Sequence, residues 1–131
     1  KLNLLVGKKI LLAEDNELNQ EIAVTMLEML HIEVDCVENG DLAVQKFLEM
    51  GSFYYDMILM DIRMPVKNGL DATADIRAIH GKYAEEVPIL AMSANAFAED
   101  KARAFANGMT DYIVKPIDID LLNEMLLKYL T

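Results

Sequence analysis

The sequence predicts an α/β domain with a doubly wound parallel sheet of five strands, ordered 2-1-3-4-5, and helices on both faces. Three observations predict it. Short apolar runs alternate with helical stretches five times along the chain, as βα repeats do. Runs one, three and four are continuously apolar, which suits central strands buried on both faces, whereas run two alternates and run five is short, as edge strands do. Right-handed crossovers between parallel neighbours then favour that strand order.

The elements follow in order. Ile10-Leu11-Leu12-Ala13 is the first strand, stopped by Glu14-Asp15-Asn16. Asn16 is placed to cap a helix whose apolar residues, Leu18, Ile22, Met26, Met29 and Leu30, recur at helical spacing. Ile32-Glu33-Val34-Asp35-Cys36 alternates apolar and polar, as a strand with one wet face does. Gly40 precedes a second helical stretch containing Leu42, Phe47 and Leu48, and Met57-Ile58-Leu59-Met60 is a third strand ending at Asp61. A turn-rich loop with Pro65 and Asn68-Gly69 leads into a helix through Leu70, Ala74 and Ile76. Ile89-Leu90-Ala91-Met92 ends at Ser93, and a helix around Phe97, Ala102 and Phe105 is stopped by Gly108. Tyr112-Ile113-Val114 ends at Lys115-Pro116. Asp118 caps a last helix with the stripe Leu121, Leu122, Met125, Leu126 and Tyr129.

A chain of 131 residues, 53% of them hydrophobic, suits one domain with a real core. Residues 1–7 read as a linker remnant and 8–131 as the domain; the start at Lys1 suggests a piece of a longer protein. Twelve Lys and Arg against 22 Asp and Glu give a net charge of −10, which repels nucleic-acid phosphates and an anionic membrane surface. The expectation is no direct nucleic-acid binding and no membrane contact by this domain. The single cysteine, Cys36, excludes an internal disulfide and suits a reducing compartment.

In an open parallel sheet, ligands bind beyond the carboxyl ends of the strands where the order reverses, here between strands one and three. Glu14-Asp15 and Asp61 end those strands, and Ser93 and Lys115 come to the same edge from strands four and five. Three carboxylates in one pocket resist ionising together unless a cation joins them. Mg2+ fits, because it accepts a few protein oxygens and keeps sites for water or phosphate. Taken singly, each residue has an ordinary reading: Glu14, Asp15 and Ser93 as helix caps, Asp61 as a turn former, Lys115 as a surface lysine. Five polar residues arriving at one edge favour the functional reading.

The strings Leu12-Ala13-Glu14-Asp15-Asn16, Met60-Asp61-Ile62-Arg63-Met64-Pro65, Met92-Ser93-Ala94-Asn95-Ala96 and Tyr112-Ile113-Val114-Lys115-Pro116 resemble those of response-regulator receiver domains, most of all the receivers of hybrid sensor histidine kinases. The resemblance runs from Lys8 to Leu130 and implies a flavodoxin-like fold and a phosphorylation switch. Asp61 would accept a phosphoryl group from a phosphohistidine, and the domain would catalyse its own phosphorylation and dephosphorylation. Glu14, Asp15 and Asp61 would hold Mg2+ with the backbone carbonyl of Arg63. Ser93 would hydrogen-bond the phosphoryl group, Lys115 would pair with it, and Tyr112 would be the switch aromatic that turns inward on activation. The resemblance further implies a cis Lys115-Pro116 bond, and side chains of Arg63 and Asn95 that influence phosphoryl lifetime. A histidine kinase or histidine phosphotransfer protein would be the partner, dimers would form through the last two helices and the fifth strand, and the location would be cytoplasmic, as a free protein or as the cytosolic part of a membrane-bound sensor.

Two features depart from many relatives: Leu30-His31 stands where a helix-ending Gly is common, so His31 has to take a left-handed cap, and Ser93 replaces Thr. Two other functions compete. A haloacid-dehalogenase-type phosphatase with Asp61 as nucleophile needs a second acid two residues on, where this chain has Arg63. A phosphorylation-independent scaffold has no need of five intact site residues.

Overall fold

A computed structural model describes residues 4–95 and 97–131. Residues 1–3 of the expected linker and Ala96 of the third family string lie outside the described residues. The strands are β1 (Lys9–Ala13), β2 (Glu33–Val37), β3 (Met57–Asp61), β4 (Ile89–Ser93) and β5 (Asp111–Val114), all parallel and ordered β2-β1-β3-β4-β5. The helices are α1 (Glu17–Met29), α2 (Gly40–Met50), α3 (Gly69–Arg77), α4 (Lys82–Glu86), α5 (Ala98–Ala106) and α6 (Ile119–Leu130). The expected sheet order is the observed one.

The central strands β1, β3 and β4 are buried almost throughout, while β2 is only partly covered, so the apolar runs separate centre from edge as expected. Their alternate side chains feed two cores. One holds Leu11, Ile58, Met60, Ile89 and Ala91 with Phe47 of α2 and Ile76 of α3; the other holds Ile10, Leu12, Leu59 and Leu90 with Leu27 of α1 and Leu122 and Leu126 of α6. Leu5 also packs in the second core at 3% exposure, and Gly7 N–H donates to His31 O at 3.0 Å. His31 has φ 62°, the left-handed cap expected of it.

Asn16, Asn39, Asn68 and Asp118 cap their helices, each accepting a backbone N–H from two or three residues ahead. Two helices bury only part of the face the apolar spacing suggests; at α1, Met26 and the C-cap Leu30 of that stripe pack against the second core. In α1 the residues against the sheet are Ala23 and Leu27, while Leu18 and Met29 are each 64% exposed. In α5 only Ala104 is buried, and Phe105 is 48% exposed, with Phe97 at the N-cap 68% exposed. Ala23 and Ala104 mark the inner face as Leu27 does, and a spacing rule weighted to large apolar residues passes over alanine. The short α4 was not expected. It is held by Tyr83, whose ring stacks on Phe47 at 4.8 Å and whose hydroxyl donates to Tyr55 O at 2.9 Å. Five residues are too few to display a helical period.

One glycine is fixed by a close approach. A Cβ on Gly69 would stand 2.1 Å from Asp61 O, while Gly69 N–H donates to Ile62 O at 2.8 Å. The start of α3 thus lies directly against the strand end that presents Asp61. Gly69→Ala is expected to cost about 3 kcal/mol, at the upper end for an overpacked site because the obstacle is backbone. Urea denaturation measures it; a loss below about 1 kcal/mol would show that the loop yields. Among the described residues no helix is long and apolar enough to cross a membrane.

Candidate functional site

Register brings the site together. Ala13 pairs with Met60, so Glu14 and Asp61 leave the sheet side by side. Asp61 in turn pairs with Met92, and Ser93 with Val114, which places Ser93 and Lys115 on the other flank. Lys115 N–H donates to Ser93 O at 2.8 Å and Ile62 N–H to Met92 O at 3.0 Å, so the strand ends stay in step beyond the sheet. The Lys115-Pro116 bond is cis.

The carboxylate oxygens of Glu14, Asp15 and Asp61 offer ligand atoms that all lie within 4.8 Å of one another. Glu14 and Asp61 are buried at 2% and 5% exposure, while Asp15 is exposed. Lys115 Nζ donates to Glu14 Oε1 at 2.5 Å and to Asp61 Oδ2 at 3.2 Å. Arg63 N–H donates to Asp61 Oδ1 at 3.3 Å, and Asn16 N–H to Glu14 Oε2 at 3.1 Å.

Burial, and secondly the charge of Glu14, push the Asp61 carboxyl up to about 6, against the weaker pull of Lys115. Burial also raises Glu14, but hydrogen bonds from Lys115 and from Asn16 N–H outweigh it and leave Glu14 below its ordinary value. Burial lowers Lys115, and its bonds to Glu14 and the charge of Asp61 more than reverse that. One ammonium therefore serves two buried carboxylates, and an exposed third stands beside them. The donor set is all oxygen, partly solvated and short of positive charge, which fits a hard divalent cation.

A stability prediction follows from Asp61. Its pKa in the folded chain is above that of an unfolded aspartate, so its contribution is greatest below pH 4 and lost as pH rises through 6. Without added metal, Asp61→Asn is expected to stabilise the domain at pH 7.5 by about 1–3 kcal/mol, the advantage shrinking as pH falls from 6 to 4. Denaturation midpoints across that range measure it, and an advantage constant with pH would assign it to something other than ionisation.

An open cleft of about 710 Å³ continues from Asp15, Ser93 and Asn95 past Arg63 and Met64 to Asp100 and Arg103. Ser93 Oγ accepts Asn95 N–H at 3.1 Å, which leaves the hydroxyl proton for another acceptor; it does not cap α5, whose N-cap Phe97 makes no side-chain bond. Tyr112 is 7% exposed and its hydroxyl donates to Asn95 O at 2.6 Å, so the ring occupies the inward position here. Glu14, Asp15, Asp61, Arg63, Ser93, Asn95 and Lys115 thus border this end of the sheet, and Tyr112 reaches it through Asn95 O. Asp100 and Arg103, paired at 2.7 Å, were not among them, because charges on a surface helix give no sign of the cleft they face.

Comparison with known proteins agrees with this geometry. A family description, the response regulator receiver domain, matches residues 10–127. The chain is 37% identical over 124 residues to hybrid signal transduction histidine kinase I of Dictyostelium discoideum, covering 93% of this chain and 7% of that protein. It is 35% identical over 122 residues to sensor protein GacS of Pseudomonas syringae pv. syringae, covering 92% and 13%. The chain thus spans only a small part of these relatives. Among solved structures, the receiver domain of sensor histidine kinase PA1611 from Pseudomonas aeruginosa, with magnesium coordinated in its active-site cleft, superposes with a TM-score of 0.84 at 39% identity, covering 95% of this chain and 98% of that one. The receiver domain of Ssk1 from Saccharomyces cerevisiae, solved with the histidine phosphotransfer protein Ypd1, gives 0.85 at 27% identity, covering 99% and 92%.

Proposed function

The chain belongs to the response-regulator receiver domains, and from that premise we propose that it is the phosphoacceptor module of a phosphorelay, with Asp61 as acceptor. The observation that carries the reading is the setting of Asp61: a buried carboxylate at a strand end, 3.2 Å from an ammonium and clustered with Glu14 and Asp15.

In the proposed reaction an oxygen of ionised Asp61 attacks the phosphorus of a phosphohistidine. The O–P bond forms as the N–P bond breaks, and imidazole leaves with the electron pair. Lys115, already on Asp61 Oδ2, offers positive charge to the incoming phosphoryl oxygens, and the Ser93 hydroxyl donates to one of them. Glu14, Asp15, Asp61 and the Arg63 carbonyl are the candidate ligands of Mg2+, which when bound offsets charge on the acids and the phosphoryl oxygens. Little covalent help is needed, so position and charge carry the catalysis.

The donor is a histidine kinase or a histidine phosphotransfer protein, and a hybrid histidine kinase is the parent that the relatives favour, with this domain on its cytoplasmic side. With the Tyr112 ring already inward, its hydroxyl bond to Asn95 O, and not an inward turn, would carry a change at Ser93 to α5, β5 and α6, the face assigned to dimerisation. With acetyl phosphate and Mg2+ the domain is expected to gain one phosphoryl mass per chain and Asp61→Asn none; equal labelling of the variant would remove Asp61 from the role.

A further inference from the structure

Helix α5, which starts beyond Ser93, is held unequally at its two ends. At the C-terminal end Gly108 N–H donates to Phe105 O and Met109 N–H to Ala104 O, both at 3.0 Å, and Met109 and Ala104 are buried. Thr110 N–H then donates to Ile89 O at 2.7 Å, and its Oγ1 accepts Ile89 N–H at 3.0 Å, which fastens the exit of the helix to β4. At the N-terminal end no side chain among the described residues caps the helix, and Phe97 projects into solvent. Among those residues the chain before it is held only through the switch residues, Asn95 N–H on Ser93 Oγ at 3.1 Å and the Tyr112 hydroxyl on Asn95 O at 2.6 Å.

Arg77, in the last turn of α3, closes over the tethered end. Its Nε donates to Gly108 O at 2.9 Å, Nη1 to Ala84 O at 3.0 Å and Nη2 to Thr110 Oγ1 at 3.3 Å. All three acceptors are neutral oxygens, so this guanidinium works as a rigid three-pronged fork joining α3, α4 and the turn after α5. Gly108 is shaped for it. It has φ +102°, and a Cβ there would stand 2.8 Å from Arg77 Cγ.

We propose that Arg77 is a positioning residue for the switch, pinning the C-terminal end of α5 so that a pull at Ser93 swings the helix at its N-terminal end instead of sliding it. The inference rests on the reading of Asp61 as acceptor. Its consequence is that the surface change is delivered around Phe97 and the Asp100–Arg103 pair, and fades toward Gly108. A helix of nine residues is about 13 Å long, so a small displacement at Ser93 becomes a rotation about a fixed far end.

The test uses the intact domain, with Arg77→Met and the milder Arg77→Lys, which keeps the charge but not the fork. Amide hydrogen exchange without any phosphoryl mimic reads the pin directly. Arg77→Met should speed exchange at Gly108, Met109 and Thr110 about tenfold relative to β1 amides, with Arg77→Lys between it and wild type. Beryllofluoride with Mg2+ then reads the swing by NMR. Wild type should show shifts that are largest over residues 97–102 and fall off over 105–109, and in Arg77→Met they should spread to 105–109. Exchange that speeds equally in β1 and at Gly108 would reduce Arg77 to a general contributor to stability and overturn the proposal, as would wild-type shifts uniform along α5. Absence of any shift around Asp61 would instead refute the acceptor reading, and the exchange arm would still decide whether Arg77 pins the helix.

Discussion

In excess EDTA the domain is expected to lose essentially all phosphorylation by acetyl phosphate, a drop of about a thousandfold or more, with full recovery on adding Mg2+. Three carboxylates offer oxygens within 4.8 Å of one another, and Lys115 is bonded to two of them. A phosphoryl group brings further negative charge to a centre where Asp61 already resists ionising, as its pKa of about 6 records. Loss of one well-placed donor at such a centre commonly costs about 100–1,000-fold, and a divalent cation contributes more than one donor. Rates measured by intact mass in EDTA, Mg2+ and sodium chloride alone decide the matter. An unchanged rate in EDTA would mean that Lys115 suffices and the acid cluster is not a metal site.

Lys115→Ala is expected to have the second largest effect, lowering the rate by at least about a hundredfold while leaving Asp61 as the residue labelled. In the free domain Lys115 Nζ bridges Glu14 and Asp61, both buried. Its removal leaves two adjacent carboxylates without a counter-charge, so Asp61 should hold its proton to a pH above 6 and lose nucleophilicity at neutral pH. The rate should therefore recover partly as pH is raised, a readout that a simple folding defect would not give. Removing one member of a buried ion pair can cost about 3–5 kcal/mol, though here proton uptake by Asp61 offers an escape and should reduce the loss. A rate near that of wild type would confine Lys115 to structure.

Much of this was legible in the sequence because the chemistry sits at strand ends. Continuous apolar runs identified β1, β3 and β4, and the residue that stopped each run was the residue delivered to the site: Glu14, Asp61 and Ser93. The helix faces were harder to read. Leu18 and Ile22 of α1, Phe97 at the N-cap of α5 and Phe105 within it have helical spacing yet lie at the surface, while Ala23, Leu27 and Ala104 are buried. A spacing rule weights large apolar residues and so passes over alanines such as Ala23 and Ala104 that are buried beside them. Arg77 was invisible for a different reason: its three acceptors are two backbone carbonyls and the Thr110 hydroxyl, and no side-chain pattern announces a carbonyl. Tyr112, expected to turn inward on activation, lies inward with its hydroxyl on Asn95 O, a rotamer that backbone pattern alone cannot specify.

One oxygen of Asp61 is expected to carry the phosphoryl group. An aspartyl phosphate is an acyl phosphate, and borohydride reduces it to homoserine while leaving free carboxylates and phosphate esters unchanged. After incubation with acetyl phosphate and Mg2+, reduction and peptide sequencing by mass spectrometry should find homoserine at position 61 and aspartate intact at 15. Homoserine at any other position, or a phosphoryl group that survives on Ser93 or another hydroxyl, would remove Asp61 as the acceptor.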